Sequence, residues 1–309
     1  MNDVSVEKSY IVTPYTDYVQ SANTLFHFMD KPEYLINILK NQAIIPRYCI
    51  EDIRYLKIEI EGYKYDKIAV LQKCFCDIPL HKLTDSFKLD IVGGDLDKLT
   101  ESKKAELIKN NSHPDYYGKY GIAFSKNWCE DNHLQPVQYI NEKSDYAVKF
   151  SETIYDLLSQ SDVSEIYVDD ILRRISYIKP LRGNMFRSLK HEDNSFYKIE
   201  FRKNFHDEQE WRYIPKSKPL IDLKLNPVIA NPNMLESCLF INQALMSDKY
   251  KDLWLKFKYD DIRYIIVPDK ESRINIINAI LDIPHFETIM NQHILISKIL
   301  VLDEIRKDL

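Results

Sequence analysis

Residues 206–215, HDEQEWRYIP, set the hardest condition on how this chain can fold, because they crowd acids, a cation and an indole into what reads as one β-strand. Period-two alternation puts Glu208 and Glu210 on one face and Gln209 and Trp211 on the other, until Pro215 stops the strand. Two carboxylates then point the same way, about 7 Å apart. At that separation each raises the proton affinity of the other unless a cation or a polyhydroxylated ligand intervenes. The strand is therefore either a solvated edge or a site.

The rest of the chain can bury a sizeable core. Of 309 residues, 45% are hydrophobic and 12% aromatic, enough for one large or two modest domains. A net charge of −5 argues against bulk binding to a nucleic acid backbone. Six glycines leave few phosphate-cradling loops, and neither a Walker-type nor a dinucleotide fingerprint is present. The first ten residues lack a basic region followed by an apolar one, and no apolar run reaches 18 residues. We therefore expect a cytoplasmic protein with no membrane contact. Five cysteines read as reduced thiols. Cys74, Cys76, Cys129, His81 and His133 do not form a standard zinc spacing, so no metal is expected.

Along the chain, Thr24–Met29 reads as a strand, and Asp30 with Glu33 as a capping box opening a helix to about Lys40. Residues 51–68 read as a hairpin or loop, 69–76 as a buried strand, and 97–110 as a surface helix. A turn at His113-Pro114 leads into YYGKYGIAFSKNW (116–128), which spends two of the six glycines within four residues, beside three tyrosines. That composition suits either a tight aromatic turn or a loop approaching a flat ring. Residues 144–176 carry helical periodicity and read as an insertion, and Asn184–Asn194 reads as an exposed loop. Strands are expected at 262–267 and 294–301, with helices near 233–247 and 271–281. No linker or repeat divides residues 1–309, which we read as a single compact α+β domain.

Several chemistries fail on spacing. There is no GxSxG elbow, and Arg202/His206 and Arg187/His191 miss the helical nuclease pattern by one residue. Three separated segments fit another scheme. LFHFMDKPEYLINIL (25–39), YGKYGIAFSK (117–126) and EQEWRYI (208–214) resemble, in order and spacing, the three motifs of the ADP-ribosyltransferase fold, a split β-sheet core here carrying helical insertions. That resemblance implies NAD as cofactor, with His27 on the nicotinamide ribose and Tyr117 or Tyr120 stacking on the ring. Gly121 and Ser125 would lie beside the cofactor. Glu210 would stabilise the oxocarbenium-like transition state, with Glu208 facing the acceptor. A nucleic acid would enter only as a modified target. Ala123 stands where the His-Tyr-Glu enzymes of that fold carry a tyrosine.

A second resemblance covers nearly the whole chain. LFHFMDKPEYLINIL, CFCDIPL, YGKYGIAFSKNW, PVQYI, IKPLRG, FHDEQEWRYIP and IRYIIVP, in that order, resemble the AbiGi family of bacterial abortive-infection proteins. This family is described as the antitoxin half of a two-gene phage-resistance system whose other half is a nucleotidyltransferase-like toxin. Two expectations follow. A non-enzymatic antitoxin would show an exposed patch for a partner protein, whereas an NAD-using enzyme would bring His27, the Tyr117–Gly121 loop and Glu210 into one pocket.

Overall fold

The computed structural model describes residues 22–60, 62–86, 90–109, 111–159, 165–190, 196–284, 286 and 288–308. In chain order it runs β1 (Thr24–Met29), α1 (Pro32–Asn41), β2 (Arg47–Asp52), β3 (Lys67–Cys76), β4 (Asp90–Gly94), α2 (Glu101–Lys109), α3 (His113–Tyr117), β5 (Tyr120–Ser125) and α4 (Lys126–Asp131). There follow β6 (Gln135–Pro136), β7 (Gln138–Ile140), α5 (Asp145–Leu158), α6 (Glu165–Ile175), β8 (Ile178–Pro180), β9 (Arg182–Lys190), β10 (Phe196–Asn204) and β11 (Glu210–Tyr213). The remainder is α7 (Ser217–Asp222), β12 (Val228–Ile229), α8 (Pro232–Leu235), α9 (Cys238–Ala244), β13 (Ile262–Val267), α10 (Lys270–Leu281), α11 (Ile289–Ser297), β14 (Ile299–Val301) and α12 (Leu302–Asp308).

The main sheet is mixed, in the order β14-β13-β5-β1-β3-β11-β6, and it branches at β3. That strand is ten residues long. Its last four residues pair with β11, while its first six pair with β2 and residues 69–70 also pair with β12. The run is apolar enough to be covered on both faces, as its near-continuous burial shows. Strand alternation sorts side chains into two layers. Leu25, Met29, Phe75, Ile122, Phe124, Trp211, Tyr213 and Ile265 form the core under α1, α10 and α11. Phe26, Phe28, Cys76, Ala123 and Ile266 form the opposite layer, packed with Leu302.

Two helices stand between β7 and β8 in the chain. Helices α5 and α6 connect β7 to β8, which pair in parallel, Tyr139 opposite Lys179, as a connection of this length allows. Lys179 is thereby carried to the side of β11. Helix α1 starts one residue later than the capping-box reading: Lys31 is its N-cap, without a side-chain cap, and Pro32 occupies the first turn. Residues 184–190, expected as the start of an exposed loop, lie in β9, which forms an antiparallel meander with β10 and β4; residues 191–195 lie outside the described set. Residues 294–297, expected in a strand, belong to α11. No helix among the described residues is long and apolar enough to cross a membrane.

Candidate functional site: a buried, charge-balanced cluster

The acidic stretch is neither an edge nor one regular strand. Phe205–Glu208 is a 3-10 turn, Gln209 turns left-handed at φ 43°, and the strand begins at Glu210, flanked by β3 and β6. Only 4% of Glu208 and 5% of Glu210 is exposed. Buried carboxylates require partners, and these come from β8, β10 and α3 and from Arg212 of β11 itself.

Lys179 Nζ of β8 lies 2.9 Å from Glu208 Oε2 and 2.9 Å from Glu210 Oε2. Lys203 Nζ of β10 is 2.7 Å from Glu208 Oε1 and donates to the Tyr117 hydroxyl at 3.0 Å. The Tyr117 hydroxyl itself donates to Glu208 Oε1. Arg212 Nε donates to Glu210 Oε1 at 2.6 Å, and its Nη1 to the Ser176 carbonyl at 2.6 Å. Arg212 Nη2 stands 3.2 Å from Glu51 Oε1, an ion pair without hydrogen-bond geometry. Glu51 also accepts from Gln72 Nε2 at 2.6 Å. The backbone N–H of Glu210 donates to the Tyr139 hydroxyl at 2.8 Å. Three carboxylates, Glu51, Glu208 and Glu210, thus meet three cations, Lys179, Lys203 and Arg212.

Burial opposes ionisation of both central glutamates, and their cations overcome it. Glu208 is brought down to about 2 by Lys179 and Lys203, and Glu210 is held below the ordinary carboxylate range by Arg212 and Lys179. Lys179 is likewise held charged, because Glu210 and Glu208 outweigh its burial. At Lys203 burial wins, and the ammonium is depressed despite its pair with Glu208. Burial and the Glu208 charge push the Tyr117 phenol well up. At neutral pH the two central carboxylates carry no proton to donate, and each oxygen already accepts a hydrogen bond.

Of the residues expected to hold NAD, Tyr117 reaches this cluster and His27, Tyr120, Gly121 and Ser125 do not. Phe26 and Glu210 both stand opposite Cys76, so they share a sheet face and His27 lies on the other. There the His27 ring packs against Phe75 at 5.5 Å and bonds the Cys74 carbonyl through Nδ1 at 2.9 Å. Burial, and then the Lys73 charge, lower its pKa to about 3, so the ring is neutral. Tyr117 does reach Glu208, but its ring is covered by His113 at 4.4 Å and by Lys203. Tyr120 bonds Ser272 at 3.0 Å, Gly121 backs onto the Phe28 ring, and the Ser125 hydroxyl caps α4 through the Trp128 N–H. Among the described residues no group of His, Cys, Asp and Glu is gathered for a metal ion.

Two of the three cations, Lys179 and Lys203, were the part the sequence concealed. Lys179 and Lys203 are set in strands, and a lysine is ordinarily read as solvated. Lys179 shows itself only as a lone charge in the apolar run SYIKPL, and Lys203, next to Arg202, carries no such signal.

A family model described as "Putative abortive phage resistance protein AbiGi, antitoxin" matches residues 106–268, more than half of the chain. The abortive phage resistance protein AbiGi of Lactococcus lactis subsp. cremoris is 35% identical over 284 residues, which cover 86% of this chain and 99% of that protein. The chain belongs to the AbiGi family. No solved structure matches it. The segment matched by the AbiGi model contains Tyr117, Tyr139, Lys179, Lys203, Glu208, Glu210 and Arg212, whereas Glu51, Gln72 and His27 lie before it. The AbiGi match also takes in helices α7, α8 and α9.

Proposed function

We propose that this chain is the antitoxin half of an abortive-infection pair in phage defence, and that it neutralises a nucleotidyltransferase-like partner toxin by binding it. The family description supports the antitoxin role. The observation that carries the binding mode is on α9, where the adjacent residues Leu239 and Phe240 are each 77% exposed. Burying both against a partner would release roughly 3 kcal/mol or more. The helix presenting them is firmly seated. Cys238 and Leu245 are buried, and Asn242 accepts from the Tyr48 N–H at 2.6 Å and donates to the Tyr48 carbonyl at 3.0 Å. Ile221 of α7 and Met234 of α8 are also exposed, and aromatic and methionine side chains such as Phe240 and Met234 are enriched at protein interfaces.

The test is co-expression of the partner toxin with the wild type or with a Leu239→Ser/Phe240→Ser double variant. The double variant should fail to restore growth while unfolding at the wild-type temperature. Full protection by the double variant would remove the apolar face from the proposal.

A second reading, an NAD-using ADP-ribosyltransferase, draws on the meeting of Tyr117, Glu208 and Glu210. The position of His27 on the other face and the fully engaged carboxylates weigh against it. Cellular NAD measured during expression of the wild type and of Glu210→Gln separates the two. An NAD loss that depends on Glu210 would replace the first reading with the second.

A further inference from the structure

A groove of about 770 Å³ opens beside the charge cluster, lined by the 3-10 turn after β2, the loop after β7, and strands β8, β9 and β10. Its size lies in the range of small-ligand sites, about 300–1,000 Å³. Five cations line it, Arg54, Lys143, Lys179, Arg182 and Arg202, against the carboxylates Glu51, Asp52 and Glu142. The lining cations outnumber the lining carboxylates in a chain whose net charge is −5, although Lys179 already meets Glu208 and Glu210 behind the wall.

The acids do not cancel the cations evenly. Glu51 is engaged by Arg212 and Gln72, and Asp52 is held by the Arg54 fork. Arg202 reaches Asp90 only at 3.6 Å, with both side chains 60% exposed, a geometry that contributes little. Arg182 and Lys143 have no side-chain ion pair among the described residues. Lys179 gives two of its three N–H groups to Glu208 and Glu210 and has one left. Beside these charges lies an apolar surface, the Phe205 ring 4.6 Å from Lys179 Nζ and the half-buried Tyr55 ring.

We propose that this groove binds a nucleoside polyphosphate, with the phosphates on Arg182, Arg202 and Lys143 and the base against Tyr55. Cations spread over separate elements suit an extended, multiply charged anion better than a single phosphate. Guanidinium forks meet phosphate oxygens in pairs, and a flat ring matches a base. A single-stranded nucleic acid would need a basic track continuing beyond the cavity. Binding of this kind needs no glycine-rich loop, in keeping with a chain of six glycines. The proposal stands independently of the partner-binding face on α9.

Calorimetric titration of the full chain with ATP, GTP and inorganic triphosphate at low salt tests it. ATP or GTP should bind, triphosphate should bind less tightly, and Arg182→Ala/Lys143→Ala should weaken the nucleotide about tenfold or more. Both substituted residues are exposed, so circular dichroism should match the wild type; Arg263→Ala, outside the groove, should bind as the wild type does. No binding of either nucleotide at millimolar concentration, or unchanged affinity in the folded double variant, overturns the proposal. Equal affinity for triphosphate and nucleotide overturns the nucleoside part of it. An RNA oligonucleotide that binds at the same residues and is not displaced by ATP overturns it in favour of nucleic acid.

Discussion

The ammonium of Lys179 stands 2.9 Å from a carboxylate oxygen of Glu210, whose side chain is buried. Removing one member of such a network leaves the opposite charge buried and uncompensated. Lys179→Met should therefore cost about 3–5 kcal/mol of stability, read from the urea midpoint at neutral pH. Adding Glu210→Gln should cost less than the sum of the two single changes, with a coupling of about 1 kcal/mol or more. Additive losses would show that the two side chains do not act on each other.

The cluster and the buried histidines set two acid-sensitive windows. Glu208 is lowered from 4.5 to about 2 in the folded chain, so its contribution is full above pH 4.5 and is lost as pH falls toward 2. His27 and His113 are lowered from 6.5 to about 3, mainly by burial. The unfolded chain takes up those protons below pH 6.5 while the folded chain does not, so stability falls from pH 6.5 toward 3. Urea midpoints should already decline between pH 6.5 and 5, above the carboxylate window. His27→Gln, which can still donate to the Cys74 carbonyl, should flatten that decline; an unchanged slope would count against a neutral His27.

Gly118 fixes the entry of Tyr117 to the cluster. Its φ is +107°, and a Cβ built there would lie 2.1 Å from the Met29 carbonyl carbon and 2.2 Å from the Met29 oxygen. Gly118→Ala combines a disfavoured backbone angle with a backbone clash, so a loss above about 3 kcal/mol is expected in thermal or urea unfolding.

Tyr117→Phe removes only the hydroxyl. Glu208 keeps Lys179 and Lys203, so the cost should be about 1–2 kcal/mol by the same measurement. A larger loss would mean that the phenol organises the lysines as well as meeting the acid.

Much of the sheet could be read locally. The apolar runs at 24–29, 69–76 and 262–267 lie in strands β1, β3 and β13, and the helical period read over 144–176 holds α5 and α6. The readings that failed depended on distant partners. Residues 184–190 look like a polar loop until β10 supplies nine opposed residues for β9. Ile294-Leu295-Ile296 is a short apolar run whose periodicity does not separate strand from helix, and packing on α10 places it in α11.

The sequence by itself determined that residues 206–215 would set two carboxylates in or beside a strand, as a solvated edge or a site, that Trp211 and Glu210 would face opposite ways, and that the chain resembles the AbiGi proteins. Only the tertiary structure decided what that charge meets. The register through Cys76 puts His27 and Glu210 on opposite faces, and the parallel β7–β8 ladder delivers Lys179 to both glutamates. The reason is physical: alternation fixes a side chain's face relative to its own strand, whereas its charge partners are set by pairings between segments tens of residues apart.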